Sequence, residues 1–515
     1  MSGTQKKVYD YDTGKVRDRL VDAFRKRKGE ATTADLVAVT GLPKPQVDAE
    51  VKAVSDEYGA RLRVTESGEI LYSFPVGMRS RYRGFGPSAA RAWKAFRKVA
   101  GRVAALLFKV WIVVMLVGYF VLFIGLAILA LIASVAGSAS GNSRDSRSGD
   151  RGGGLGGLFV TGRLLETIFR IWFYSELFMT PEQRAARAGR RSEKRPLYKA
   201  IYSFVFGDGD PDAGWDTVEK KAFVAFVQAN KGIITMPEFM AITGQKPLDA
   251  EQGINRYLVE FEGSPEVTEG GVIYYFFPSL LRRKDREDRT RGSSVPMRRI
   301  APFSANPKKA NAAFCAFNSA NLLFGGYFLV QSLSSQELLP IIYGGKYAAR
   351  LIMTKGFDGF YYFTHQLLGK FLGMGMDGPE ALLRIALGVV PLAFSLFFFA
   401  IPAIRSRRLA ARNERARAEN LRRVAYRSVL DSPIPVRPEA ISVSDDAARP
   451  KDGRVAAKAL TELAAWSGAE PLADGSFDFA EIGRGKVEAA KARAAVDTKS
   501  YELGGVAFDS DAPAT

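Results

Sequence analysis

Val110-Trp-Ile-Val-Val-Met-Leu-Val-Gly-Tyr-Phe-Val-Leu-Phe-Ile-Gly-Leu-Ala-Ile-Leu-Ala-Leu-Ile-Ala-Ser-Val135 runs for 26 positions without a charge. A bilayer core about 30 Å thick needs ~20 apolar helical residues to cross it. In water such a stretch would have to be hidden inside a very large domain. The rest of the chain is rich in charge and broken by linkers, and offers no such core. Ala310 to Ser332 and Ile385 to Ile404 are apolar in the same way. The chain therefore reads as an integral membrane protein with soluble parts attached to its spans.

The 515 residues leave room for several domains, and a mean hydropathy of −0.05 is too low for a transporter made mostly of membrane helices. The N-terminus, Met1-Ser-Gly-Thr-Gln-Lys-Lys7, lacks the apolar core of a cleavable signal peptide. One cysteine, Cys315, excludes an internal disulfide, and one histidine, His365, excludes a His-rich metal site. The net charge of +19 is concentrated in four runs, 79–102, 184–199, 282–299 and 405–423, and the remainder of the chain is net acidic. Each run lies beside an apolar segment, as the positive-inside rule expects, with anionic lipid headgroups as a further attractor. On that rule residues 1–100, 180–300 and 405–515 face the cytoplasm across an inner membrane, and 334–383 faces outward. Parity then requires a return crossing. Either 104–137 bends near Gly118 or Gly125 into a hairpin, or 158–178 crosses back. The second segment also reads as an amphipathic helix lying in the interface, since Glu166 and Arg170 form an i,i+4 pair.

Three blocks recur in one order. Val37-Ala-Val-Thr-Gly41 returns as Met240-Ala-Ile-Thr-Gly244. Lys44-Pro45 with Asp48-Ala-Glu50 returns as Lys246-Pro247 with Asp249-Ala-Glu251. Val64-Thr-Glu-Ser-Gly-Glu-Ile-Leu-Tyr-Ser-Phe-Pro75 returns as Val267-Thr-Glu-Gly-Gly-Val-Ile-Tyr-Tyr-Phe-Phe-Pro278. Such self-similarity is the signature of an internal repeat. In the first copy Val16, Leu20 and Phe24 share a helical face, a second helix over 34–40 stops at Gly41, and a third starts after Pro45 and ends at Gly59. A hairpin turning at Ser67-Gly68 follows. Helix, short helix, helix and hairpin in that order resemble the winged-helix fold. A third, degraded copy is read in 421–482, with Ala456–Trp466 as its third helix and 472–479 as its wing.

Winged helices often bind DNA through the third helix. Here that helix carries Lys44 and Lys52 against Asp48, Glu50, Asp56 and Glu57 in the first copy. In the second it carries Lys246 and Arg256 against Asp249, Glu251, Glu260 and Glu262. A negative helix is repelled by a phosphate groove. The modules therefore read as protein-interaction units, and DNA as the disfavoured partner.

Residues 198–219 hold the one constellation with metal-ligand spacing. Counting Asp208 as position 1, carboxylates fall at positions 1, 3, 5, 9 and 12: Asp208, Asp210, Asp212, Asp216 and Glu219. These are oxygen-ligand positions of a twelve-residue calcium loop. Ala213 stands where that loop needs glycine, and Pro211 at position 4 is awkward. The competing reading is a turn closed by a capping box, with Asp216 capping and Glu219 reaching back. No other cofactor is expected. His365, in Phe360-Tyr-Tyr-Phe-Thr-His365, reads as packing or an interfacial aromatic belt. No phosphate-binding loop and no catalytic constellation is found, so no enzymatic activity is expected.

Ser203-Phe-Val-Phe-Gly-Asp-Gly-Asp-Pro211, Asn230-Lys-Gly232, Gly263-Ser-Pro-Glu-Val-Thr268 and Ile273-Tyr-Tyr-Phe-Phe-Pro278 are similar to segments of a poorly characterised family. Its members are multi-pass membrane proteins of cyanobacteria and the chloroplast envelope, often labelled "iron–sulfur cluster biosynthesis". The resemblance is specific over about 196–280. The label adds little, because cluster ligation takes several cysteine thiolates and the chain has only Cys315.

The fold class expected is an α-helical membrane protein with α+β winged-helix-like soluble domains. Its parts are a first winged-helix-like domain (1–77), a basic juxtamembrane segment (78–103), a span or hairpin (104–137), a Gly/Ser linker (138–157) and an amphipathic or returning helix (158–180). A second winged-helix-like domain with the acidic loop follows (181–281), then a basic linker (282–309), a span (310–333), an outer loop (334–384) and a span (385–404). The basic segment with the degenerate third copy (405–485) and a tail (486–515) complete it. The expected role is a non-enzymatic scaffold gathering a protein partner at the membrane. A membrane-tethered transcription regulator, or a small homo-oligomeric channel or carrier, is the alternative.

Overall fold

A computed structural model describes residues 9–27, 30–74, 78, 85–139, 195–284, 295–334, 356–374, 378–431, 436–437 and 450–510. In chain order, α1 (Thr13–Arg27), α2 (Thr33–Thr40), α3 (Lys44–Tyr58), β1 (Arg61–Thr65) and β2 (Ile70–Ser73) come first. They are followed by α4 (Phe85–Val113), a π-helical segment (Val114–Gly118), α5 (Tyr119–Ala139) and α6 (Leu197–Phe206). Next are α7 (Trp215–Ala229), β3 (Ile233–Thr235), α8 (Met236–Thr243), α9 (Pro247–Phe261), β4 (Ser264–Val267) and β5 (Ile273–Phe276). Then come α10 (Lys308–Ser334), α11 (Gly356–Leu372), α12 (Gly378–Leu382), a second π segment (Leu383–Val389) and α13 (Val390–Asp431). The chain closes with α14 (Pro450–Ser467), β6 (Glu470–Pro471), β7 (Phe477–Asp478), α15 (Ala480–Ala495) and β8 (Val506–Asp509).

Contacts divide the chain into two units. The first gathers 1–92, 210–301 and 411–515, and the second gathers 93–209 and 302–410. In the first unit the local signals act as expected. Gly41, Gly59 and Gly244 each close a helix in the left-handed conformation (φ 68°, 64° and 66°), which glycine adopts without a Cβ penalty. Both segments, 13–73 and 215–276, run helix, short helix, helix and antiparallel hairpin. The three stretches of this unit do not form separate cores. Leu20, Val51, Phe223, Ile254, Phe261, Tyr426 and Leu460 belong to one buried cluster. Phe223 anchors it, with ring centroids 4.7 Å from Tyr257 and 5.2 Å from Phe277. Such edge-to-face pairs add roughly 0.5–1.5 kcal/mol beyond their area.

The segment 486–515, expected as a tail, supplies structure. β8 extends the first hairpin into a three-stranded sheet of order β2-β1-β8, and Asp509 receives Arg61 Nε at 2.8 Å and Arg63 Nε at 3.0 Å. An exposed β1 edge would carry unpaired N–H and C=O groups, and the distant strand satisfies them. Around 470–479 the short β6-β7 pair forms, and Phe477 also bridges to Val436.

Among the described residues three helices are long and apolar enough to cross a membrane: Val99–Ser134, Lys308–Ser334 and Gly378–Asp431. The hairpin alternative for 104–137 is corrected. α4, the π segment and α5 continue one another, so Gly118 ends a π turn and not a reversal. A π turn widens the hydrogen-bond ladder without ending the helix. Residues 158–178 lie outside the described residues. The outer loop expected over 334–384 contains α11, whose Tyr361 and Tyr362 are buried with Phe123, Phe328 and Leu387. His365 is fully buried on the same helix, its ring 6.3 Å from that of Tyr361.

Candidate functional site

The five carboxylates of the acidic loop are taken up by cations and donors of the protein, with Arg412 shared by Asp210 and Asp212. In the second unit Asp208 accepts from Arg195 at 2.6 Å, Ser203 Oγ at 2.8 Å and the Ala305 N–H at 2.8 Å. Burial pushes its carboxyl up, but these donors outweigh it and hold its pKa below the ordinary value. In the first unit Asp210 pairs with Arg412 at 2.6 Å and Asp212 with Arg298 at 3.4 Å. Asp216 meets Lys220 and Arg256, both at 3.0 Å. Burial again pushes upward there, and the two cations bring the pKa below the usual range. Among the described residues no three acidic, His or Cys side chains gather in metal-binding geometry.

The expected capping box is also corrected. α7 starts at Trp215 with Gly214 as its N-cap, so Asp216 sits inside the first turn and no side chain caps the helix. Gly214 is left-handed (φ 90°), a conformation that favours glycine, and the cap lies two residues earlier than Asp216. Glu219 turns inward instead. Its oxygens accept from Trp215 Nε1 and Tyr257 Oη, each at 3.1 Å, and from Arg423 at 3.3 Å. Burial lifts its pKa above the ordinary carboxylate value despite the guanidinium beside it.

Arg423 was not legible as a core residue, because it lies in the basic run 405–423. It is fully buried and donates to Thr243 O at 2.6 Å and Ile242 O at 3.0 Å. It thereby satisfies the last carbonyls of α8, which a helix leaves without partners. The Trp215 ring lies between Arg423 and Arg298, 5.0 Å and 4.9 Å from the two guanidinium carbons. Other arginines of the run are also engaged. Arg422 donates to Gly244 O, Arg417 to Asp452, Arg412 to Asp210, and Arg405, in the second unit, to Phe204 O. One signal in the sequence could have revealed this. Ala416, Leu421, Ala425 and Val429 thread an apolar stripe through the charges, and all four are buried.

The third helices likewise hold their bases against acids. Lys44 reaches Asp48 at 2.9 Å and Glu262 at 2.8 Å. Lys246 meets Glu462 at 3.4 Å, and Arg256 meets Glu260 at 2.7 Å. Beside the second of these helices lies a cavity of about 480 Å³. Ile254 from α9, Ile273 and Tyr275 from β5, Trp466 from α14 and Ile482 from α15 line it. Glu251, at its rim, accepts from Trp466 Nε1 at 2.8 Å. On the same helix and hairpin Leu248, Val267 and Ile273 are 74%, 63% and 57% exposed. The recess is of mixed character, since Glu238, Glu251, Glu481, Arg484 and Lys486 line it beside the apolar side chains, which suits a ligand with both apolar and polar groups.

No protein-family model matches the chain, and no solved structure matches it. It is 23% identical over 278 residues to an uncharacterised chloroplastic protein of Arabidopsis thaliana, a stretch covering 52% of this chain and 49% of that protein. The chain thus spans about half the length of this relative.

Proposed function

We propose that the chain is a membrane-anchored interaction scaffold whose winged-helix-like modules hold a protein partner at the cytoplasmic face of an inner membrane. The observation that carries this reading is the character of the α9 and β4-β5 face. A DNA-binding module would present free lysine and arginine there. This face presents Leu248, Val267 and Ile273 beside a cavity floored by Trp466 and Tyr275, while Lys246 and Arg256 are paired with acids. Aromatic anchors in a recess are the usual energetic centre of a protein interface. The likeness of the two hairpin segments to each other supports a repeated docking module.

Chemical cross-linking of the full chain in its native membrane, read by mass spectrometry, tests the proposal. A recurrent partner cross-linked to 246–276, and lost from Ile273→Asp, is the expected result. Sequence-specific binding of duplex DNA that survives ~150 mM salt would overturn it, since purely electrostatic contacts weaken steeply with salt.

A further inference from the structure

Three oxygen atoms in the interior of the second unit have no donor among the described residues: Asn318 Oδ1, Asn321 Oδ1 and Ser395 Oγ. All three residues are fully buried. Asn318 and Asn321 lie one turn apart on α10, in the middle of the apolar run 310–332, and Ser395 lies midway along 385–404. Asn318 Nδ2 donates to Ser395 O at 3.0 Å. Asn321 Nδ2 donates to Leu116 O at 2.7 Å, with Met115 O at 3.5 Å. Both of those carbonyls belong to the π segment Val114–Gly118, and π turns recur at functional sites. Each amide is pinned through its nitrogen, and reversing it would set oxygen against oxygen. The two amide oxygens and the hydroxyl are therefore left over.

The amide nitrogens tie α10 to the other two spans, but that role does not use the three oxygens. One turn beyond Asn321, α10 already meets the third span backbone to backbone. A Cβ on Gly325 would lie 2.9 Å from Leu392 N, and one on Gly388 3.1 Å from Leu329 Cα. Leucine at 318 or 321 would match the surrounding apolar side chains. A buried acceptor left unmade costs about 1–3 kcal/mol, and the hydrocarbon core offers no water to relieve it. Polar groups held at that depth mark a site for a polar guest.

We infer that Asn318, Asn321 and Ser395 form a midplane binding site for a weakly hydrated monovalent cation of the potassium, rubidium or ammonium class. The two amide oxygens only accept, and the hydroxyl can turn its lone pairs to the same guest, so a cation is favoured over an anion. No carboxylate lies in the three apolar runs, whereas calcium and magnesium depend on charged oxygen ligands. Amide and hydroxyl dipoles suffice to replace part of the loosely held hydration shell of a large monovalent ion. The site lies within the spans and does not depend on the interaction role proposed for the first unit.

The test uses the purified full chain in mild detergent, melted in about 150 mM rubidium chloride and in the same concentration of choline chloride. A ligand bound only by the native state raises Tm with saturation. Rubidium is expected to raise Tm by a few degrees over choline, and Asn321→Leu and Asn318→Leu to abolish the difference. Ser395→Ala, a milder change, is expected to fold normally and to shift the rubidium midpoint several-fold upward. Equal melting in both salts overturns the proposal. So does a rubidium effect that survives in Ser395→Ala at an unchanged midpoint. A rise in Tm for Asn321→Leu with no cation dependence in the wild type would mean the trio holds only water, and overturns it as well.

Discussion

Replacing Arg423 with leucine removes the cation that organises the interior of the first unit. Arg423 is fully buried, and it serves two carbonyls at the end of α8, Asn420 Oδ1 and the Glu219 carboxylate. Deleting one partner of a buried ion pair costs about 3–5 kcal/mol, because the other charge is left uncompensated. The orphaned carbonyls add to this at about 1–3 kcal/mol each, but the same water or side-chain shifts relieve several groups at once, so the terms do not add. We expect Arg423→Leu to cost 3–5 kcal/mol overall, a large share of the roughly 5–15 kcal/mol that holds a domain folded. Arg423→Lys keeps the charge but loses the planar fork that spans carbonyl and carboxylate together, and should fall between. Glu219→Gln retains an acceptor for Trp215 and Tyr257, and the double variant Arg423→Leu/Glu219→Gln should be less damaged than the sum of its parts by more than ~1.5 kcal/mol. Denaturant titration of the full chain in detergent, followed by tryptophan emission, measures all four. A loss below ~1 kcal/mol for Arg423→Leu, or strict additivity in the double variant, would refute the view that this pair is a buried, mutually dependent unit.

Three further outcomes follow from the same geometry. The folded-state pKa of Asp216 lies below its ordinary value of 3.8, so its contribution to stability is present above that value and lost as pH falls through the folded pKa; melts taken from pH 6 downward should show acid destabilisation that is shallower in Asp216→Asn. Gly244 is left-handed and a Cβ there would lie 2.7 Å from Glu419 O, whereas Gly68 is left-handed with open space around it; Gly68→Ala should cost about 1 kcal/mol of backbone strain, and Gly244→Ala clearly more in the same thermal assay. Millimolar calcium should leave Tm of the wild type and of Asp208→Ala unchanged, because each of the five loop carboxylates already meets a cation or donor of the protein; a rise of several degrees that vanishes in Asp208→Ala would restore the calcium reading.

What the sequence by itself determined was local. The three spans follow from runs of uncharged apolar residues, since crossing a bilayer is a matter of length and composition. The ends of α2, α3 and α8 follow from Gly41, Gly59 and Gly244, since a left-handed cap is a property of one residue. The inward face of α1 follows from Val16, Leu20 and Phe24, since helical period alone sets it. What only the tertiary structure decided was where the polar groups find partners. Glu219 and Arg423 are 204 positions apart, and no spacing rule links them, so a carboxylate with ligand spacing became a core ion pair and a lipid-flanking arginine became its counter-ion. β8 completes a sheet begun more than four hundred residues earlier. The cavity beside α9 draws its walls from six segments that have no pattern in common. Charge, hydrogen bonding and enclosure are pairwise properties of the folded chain, and they become visible only when the pairs are brought together.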